Sequence, residues 1–346
     1  ANTVPLKMFI SPCQYIQGPG VLAHIGRFLK PLISGKAGIL ITPGREKSAG
    51  QMIRQSLTAA GFDFETAIFG GESSLAEVHR ITDHFKQASR AVCCVLGVGG
   101  GKCLDTGRMA SERLSVPFIS IPTTAATDAP TAAHSVIYDD SGVFADVEFH
   151  KTNPLLVLAD TDIIAAAPIR YMVSGMGDAL STYYEANCCA RNPDACLIRG
   201  AKPSLAAFAI ARLCRDVIFE NGLSAIQSIE AGRRDNAVEK VVEANILLSG
   251  LGFESGGLAG AHAVAQGLTT DHRLHKNFLH GELVAIGVIT QLILEEDFQE
   301  AETVAEFFSS VGLPVSLTQM GIIPGDEPEM IEKAVDSALK ISFLYN

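Results

Sequence analysis

The chain has no block of lysines or arginines. Its 346 residues carry 27 basic against 38 acidic side chains, a net charge of −11. A global basic footprint for nucleic acid is therefore absent. Any anionic ligand must be held by local groups, not by the field of the whole molecule. Long apolar runs are also missing. The longest, such as LVAIGVITQLIL (283–294), fall short of the roughly 20 residues that a membrane-spanning helix needs. The eight cysteines, Cys13, Cys93, Cys94, Cys103, Cys188, Cys189, Cys196 and Cys214, include no C-x-x-C pair. Most lie in apolar runs. They read as small buried hydrophobes of a protein kept in a reducing, intracellular compartment, the cytosol or the mitochondrial matrix. The chain begins at Ala1 and not at Met, which is compatible with a transit segment removed upstream.

What is present is a foldable composition. Apolar residues make up 47% and charged residues 19%, far from disorder, and the length exceeds one ordinary core. The first half alternates short apolar runs with amphipathic ones. AGILIT (37–42), ETAIF (65–69), AVCCVLGV (91–98) and VPFISIP (116–122) read as strands. Between them lie helical patterns around Met52, Ile53 and Leu57, over 74–90, and from Lys102 to Leu114. This order implies a parallel, Rossmann-like sheet over about residues 1–165. From 166 to 346 the patterns are helical: 174–191, 203–219, 236–253 and 281–296, with no clear strand between them. The boundary lies near DIIAAAPIR (162–170).

The stretch AVCCVLGVGGGKCLDTG (91–107) ends a strand in four glycines, Gly97, Gly99, Gly100 and Gly101, followed by Lys102. Glycines let phosphate oxygens approach backbone N–H groups, and a helix N-terminus adds a favourable dipole. Two familiar motifs fail here. A Walker A loop needs a glycine at Leu96 and Ser or Thr at Cys103, and the G-x-G-x-x-G pattern meets Lys102 in place of its last glycine. The pattern is G-x-G-G-G-K, which also fits a tight strand–helix turn without ligand. A second loop, SIPTTAATDAPTAAHSVIYDDSG (120–142), follows the next strand. It places Thr123, Thr124, Thr127 and Asp128 at a strand's carboxyl end, where open α/β sheets bind ligands. Alone it equally fits a capped surface loop.

The helical half carries Asp178 in GMGDAL, His262 in FESGGLAGAHAVAQG (253–267) and His280 in NFLHGELVA (277–285). One histidine on an apolar helix is usually a satisfied core residue. Two with an acid, each among apolar neighbours, fit that reading less well. A carboxylate and two imidazoles suit Zn²⁺ or Fe²⁺, with positions left for substrate and water. The long gaps make the spacing signal weak, there is no H-E-x-x-H, and His272 and His275 are rival ligands.

Six segments together resemble the iron-containing alcohol dehydrogenase superfamily, and within it the branch that oxidises glycerol. They are FISPCQYIQGPGVL (9–22), GVGGGKCLDTG (97–107), PTTAATDAPTAAHSVIY (122–138), GDAL (177–180), EANILLSGLGFESGGLAGAHAVAQGLT (243–269) and LHGELVAIG (279–287). The match runs in order over nearly the whole chain. The resemblance implies the dehydroquinate synthase-like two-domain fold, with an NAD-binding domain (1–165), a helical metal- and substrate-binding domain (166–346) and a cleft between them. It implies a divalent metal, zinc in that branch and iron as the alternative, held by Asp178, His262 and His280. It assigns the nucleotide to Gly99, Gly100, Gly101, Lys102, Asp105, Thr123 and Thr124, with Tyr138 near the nicotinamide. Asp128 and His262 would face glycerol, and the catalytic set would be Asp128, Asp178, His262 and His280. A homo-oligomer is also implied, with a small polyol as partner and neither nucleic acid nor membrane.

The chain departs from the family pattern in four places. Thr42 stands where an acid usually binds the ribose hydroxyls. Ala132 and His134 replace a serine and a larger apolar residue near the nicotinamide. The histidine spacing within 272–280 is altered, and ISFLYN ends the chain short of an expected last helix. These departures bear on the choice between NAD and NADP more than on the chemistry. The chemistry implied is oxidation of glycerol to dihydroxyacetone, with hydride passing to NAD. The alternatives are a dehydrogenase for another vicinal diol and a nucleotide-binding relative without catalysis. A dehydroquinate synthase would need a basic pocket that is not evident here.

Overall fold

The computed structural model describes residues 6–139, 142, 144–197, 200–323, 325 and 327–346. Ala1, and Asp140 and Ser141 in the stretch 120–142, lie outside the described residues. The chain divides into two units. One is Ser11–Thr124 with Ala129–Ala167; the other is Ala1–Ile10, Ala125–Asp128 and Pro168–Asn346. The short segment bearing Asp128 thus belongs with the helices, not with the strand that precedes it.

The first unit is built on strands β1 (Gln14–Gly18), β2 (Lys36–Ile41), β3 (Asp63–Ile68), β4 (Val92–Gly99), β5 (Phe118–Pro122), β6 (His134–Tyr138), β7 (Phe144–Phe149) and β8 (Leu156–Asp160). Six of them form one parallel sheet in the order β1-β8-β5-β4-β2-β3. The strands are apolar on both faces because both are covered. Along β2, Ile39 and Ile41 join a core with Leu22, Leu57 and Leu96 on one face. Leu40 joins Phe85, Val95 and Leu104 on the other. β6 and β7 pair antiparallel in a separate ribbon. β6 lies inside the stretch 120–142 that reads as a loop; its polar start, half-buried His134 and buried Ser135, gives no apolar run to mark it.

The sheet's topology places its ligand-binding crevice. The chain runs from β2 outward to β3, then returns to β4 and proceeds through β5 toward the opposite edge. The strand order reverses between β2 and β4, the switch point at which open α/β sheets bind ligands. Register pairs Gly99 with Pro122, and the Thr123 N–H donates to the Gly99 carbonyl at 3.0 Å. The glycine loop and the threonine loop therefore leave the sheet side by side.

Among the described residues of the second unit, the regular elements are helices. Ile169–Arg191 and Leu205–Glu230 are the longest. Buried Met172, Met176, Leu180, Ile218, Val241, Val284 and Val288 fill its interior. Two glycines let helix backbones touch. A Cβ at Gly281 would sit 1.8 Å from the Ser174 carbonyl oxygen, and one at Gly287 would sit 2.0 Å from that of Ala261. The pattern read as one helix over 236–253 is interrupted. Residues Ala244–Leu248 form a π-helical turn, which turns the Asn245 amide to donate to the carbonyls of Ala125 (2.9 Å) and Met172 (3.0 Å). No described helix is long and apolar enough to cross a membrane.

Candidate active site

Three helices bring one acid and two histidines together. Asp178 lies mid-way along Ile169–Arg191, His262 in the first turn of Gly260–Leu268, and His280 at the start of His280–Leu294. The glycine contacts set this meeting, because Gly281 adjoins His280 and Ala261 adjoins His262. Glu282 fixes the start of the last helix by accepting from the Leu279 N–H at 2.7 Å. Ligand atoms of the three side chains all lie within 4.8 Å of one another, the one such cluster among the described residues. His272 and His275 lie outside it.

Asp178 is 1% exposed, and its Oδ1 has no hydrogen-bond donor. That oxygen instead faces two ring nitrogens, Nε2 of His262 and Nε2 of His280, each at 3.4 Å. Neither ring nitrogen is aligned to hydrogen-bond that oxygen, and the three atoms converge on one point. A buried orphaned acceptor is costly, and a divalent ion bound by all three side chains would satisfy it. The electrostatics agree. Burial works against ionised Asp178, yet His280 and His262 hold its carboxyl well below the usual carboxylate range. Burial likewise opposes a charged His262, but Glu185 and Asp178 raise it well above an ordinary imidazole. The pocket is built for positive charge. His280, with 46% of its side chain exposed, marks the open side.

Asp128 adjoins this cluster. Its backbone N–H donates to Asp178 Oδ2 at 3.2 Å, and its Oδ2 accepts from Ser249 Oγ at 2.8 Å. Burial first, and then the Asp178 charge, push its carboxyl well above the usual range. Sequence reasoning missed Ser249, Asn245 and Glu185. Glu185 was signalled by spacing alone: it lies seven residues after Asp178, on the same helix face.

The glycine loop sorts its residues by packing. A Cβ at Gly97 would meet Phe118 at 2.8 Å, and one at Gly99 would meet Thr42 at 2.6 Å. These two glycines serve close packing within the fold. Gly100 differs: its Cβ would find nothing nearer than Thr124 Oγ1 at 3.9 Å, and its φ of −83° suits any residue. No fold contact explains it. It forms the N-cap of the 14-residue helix Gly101–Leu114 and offers no side-chain cap to it. A bare cradle at a helix N-terminus fits a phosphate. Lys102 Nζ donates to Glu72 Oε2 at 2.7 Å and lies 4.5 Å from the Tyr138 ring centroid, so it stands beside the cradle already paired. Asp105 faces inward. Its Oδ1 accepts from Arg108 at 2.8 Å and its Oδ2 from the Val136 N–H at 3.3 Å. Thr42 follows β2, and its N–H donates to the Val98 carbonyl at 3.1 Å.

A sequence profile of the family described as iron-containing alcohol dehydrogenase matches residues 16–168. The glycerol dehydrogenase of Citrobacter freundii is 41% identical over 318 residues, which cover 92% of this chain and 86% of that protein. This chain belongs to the iron-containing alcohol dehydrogenase family. Another relative is the glycolaldehyde reductase of Halobacterium salinarum, 39% identical over 340 residues, with 96% and 91% of the two chains covered. The crystal structure of glycerol dehydrogenase from Schizosaccharomyces pombe superposes with a TM-score of 0.93 at 35% identity, over 99% of this chain and 86% of that one. The fold of this chain, a six-stranded parallel sheet followed by helices, is thus shared with that structure.

Proposed function

We propose that this protein oxidises glycerol to dihydroxyacetone and passes hydride to NAD. The observation that carries the reading is the orphaned Asp178 oxygen facing two imidazole nitrogens, in a chain 41% identical to a glycerol dehydrogenase. Asp178, His262 and His280 hold the divalent ion, zinc or iron(II), which when bound polarises an alcohol oxygen as a Lewis acid. Asp128, held by Ser249, turns its carboxyl to the remaining polyol hydroxyls. Raised by burial, it can donate as well as accept a hydrogen bond there. Gly100 and the helix N-terminus behind it receive the pyrophosphate, with Lys102 exchanging Glu72 for phosphate charge. Thr123, Thr124 and Tyr138 line the nucleotide's path, and Asp105 supports them through Arg108. The decisive assay is a polyol panel with NAD⁺ and NADP⁺, following reduced nicotinamide beside metal content. No glycerol-dependent reduction in metal-replete protein would sink the reading. The Halobacterium relative favours a second one, reduction of glycolaldehyde, and the panel includes that aldehyde with NADH.

Two predictions concern the nucleotide. Gly100→Val should fold normally, because neither the backbone angle nor a neighbour opposes the side chain. Its methyl groups would occupy the phosphate cradle and weaken NAD binding tenfold or more, roughly 1.4 kcal/mol. Titration calorimetry on the folded variant tests this, and an unchanged Kd removes the phosphate from that loop. At Thr42 no carboxylate repels a 2′-phosphate, and Arg45 lies three residues on. Measurable NADP⁺ turnover is expected, and Thr42→Asp should lower kcat/KM for NADP⁺ by roughly tenfold while sparing NAD. Strict rejection of NADP⁺ by the unmodified protein would place discrimination elsewhere.

A further inference from the structure

We propose that Glu185 is a positioning residue for the metal centre: it fixes which nitrogen of His262 carries the proton and so aims the bare Nε2 at the ion. The proposal rests on the metal-site reading above. Glu185 is 0% exposed and touches no open surface. Its Oε2 lies 2.7 Å from His262 Nδ1. Its Oε1 accepts two backbone N–H groups, from Ala259 at 2.8 Å and from His262 itself at 2.9 Å. One carboxylate therefore grips the histidine at ring and backbone together. With Oε1 filled by two donors, Oε2 is left as the acceptor that meets the ring. Nδ1 then bears a hydrogen, and once an ion displaces the other ring proton, Nε2, which lies 3.4 Å from Asp178 Oδ1, is free to ligate. A histidine ligand whose other nitrogen donates to a carboxylate is both oriented and made more basic toward a metal.

The same contacts do a second task. The helix Gly260–Leu268 has no side-chain cap of its own at Ala259. Glu185 takes the N–H groups of Ala259 and His262, and Gln291 Oε1 takes that of Ala261 at 2.9 Å. Capping alone would explain Oε1 but leaves the 2.7 Å contact of Oε2 with the ring without purpose. The two roles separate experimentally. Glu185→Gln keeps a carbonyl oxygen for the two backbone donors, but its NH₂ must then donate to Nδ1. The ring proton moves to Nε2, and His262 can no longer ligate. Glu185→Ala removes cap and orientation together.

The test measures zinc affinity of the full chain by competition with a chelator, and reads by ¹⁵N NMR which nitrogen of His262 carries the proton at saturating zinc. The unmodified protein should show Nδ1–H. Glu185→Gln should show Nε2–H, a melting temperature close to the parent's, unchanged NAD affinity, and zinc binding weakened by roughly 10- to 100-fold. Glu185→Ala should lose thermal stability as well. If Glu185→Gln binds zinc as tightly as the parent, or if the parent's ring carries its proton on Nε2, the proposal is overturned while the metal site stands. The second readout needs no variant to fold. If the parent binds no zinc in any assay, the metal-site reading falls and takes this proposal with it.

Discussion

Asp178→Asn should strip the protein of its divalent ion and lower glycerol turnover by on the order of 10³-fold, about 4 kcal/mol of transition-state stabilisation. The acid is buried, and its Oδ1 takes no hydrogen bond from the protein. An amide in its place removes the negative ligand and leaves two imidazoles facing a dipole. His280→Ala should remove the ion with less effect on stability, since half of that side chain is already exposed. In both variants NAD affinity should persist, because Gly100, Lys102 and the threonine loop lie on other elements. Metal content, NAD affinity and glycerol oxidation measured on the same preparations decide the matter. Full metal occupancy and normal turnover in His280→Ala would remove His280 from the ligand set.

The second large effect is on stability. Arg108 is 2% exposed and donates to Asp105 Oδ1 at 2.8 Å, to the His134 carbonyl at 2.7 Å and to the Ala129 carbonyl at 2.6 Å. Arg108→Met would leave the Asp105 charge buried without its partner and cost about 3–5 kcal/mol. The deficit should depend on pH. Burial pushes the Asp105 carboxyl up to about 6, even with Arg108 drawing it down. An acid whose folded pKa exceeds its unfolded value, here 3.8, gives its full stability below that unfolded value. Stability is then lost as pH rises toward the folded pKa. Without Arg108 the folded pKa rises further, so the variant should be weakest at pH 7 and approach the parent near pH 4. Denaturant unfolding at both pH values tests this. A deficit of the same size at each would mean that lost carbonyl contacts, and not the stranded charge, set the cost. The double variant Arg108→Met/Asp105→Leu should recover part of the loss at pH 7.

Elements whose signal is local were legible in the sequence. β4 was visible because a strand covered on both faces must be apolar at every position, and its glycines because they break that run at once. The three metal-site residues stood out because polar groups among apolar neighbours need partners. What stayed hidden depends on contacts distant in sequence. The π-helical turn at Ala244–Leu248 follows ordinary helix-forming residues; the Asn245 amide that docks on Ala125 accounts for it only in the folded chain. Glu185 looks like any acid on a helix until Ala259 and His262 arrive to bond it. The grouping of Ala125–Asp128 with the helices was hidden for the same reason, since the segment follows a sheet strand without a break in sequence.

The near-contact of Gly281 with the Ser174 carbonyl has a consequence for how this centre can change. The distance between the elements bearing Asp178 and His280 is set where main chain meets main chain, with no side chain between them to be trimmed or enlarged. Repacking the surrounding apolar residues leaves that spacing in place. Even one added methyl at residue 281 has nowhere to go and drives the two backbones apart. A protein selected for a larger or smaller ion would therefore have to alter the ligands themselves, His280 first because it faces outward. Its bite would otherwise be inherited unchanged through extensive drift of the core.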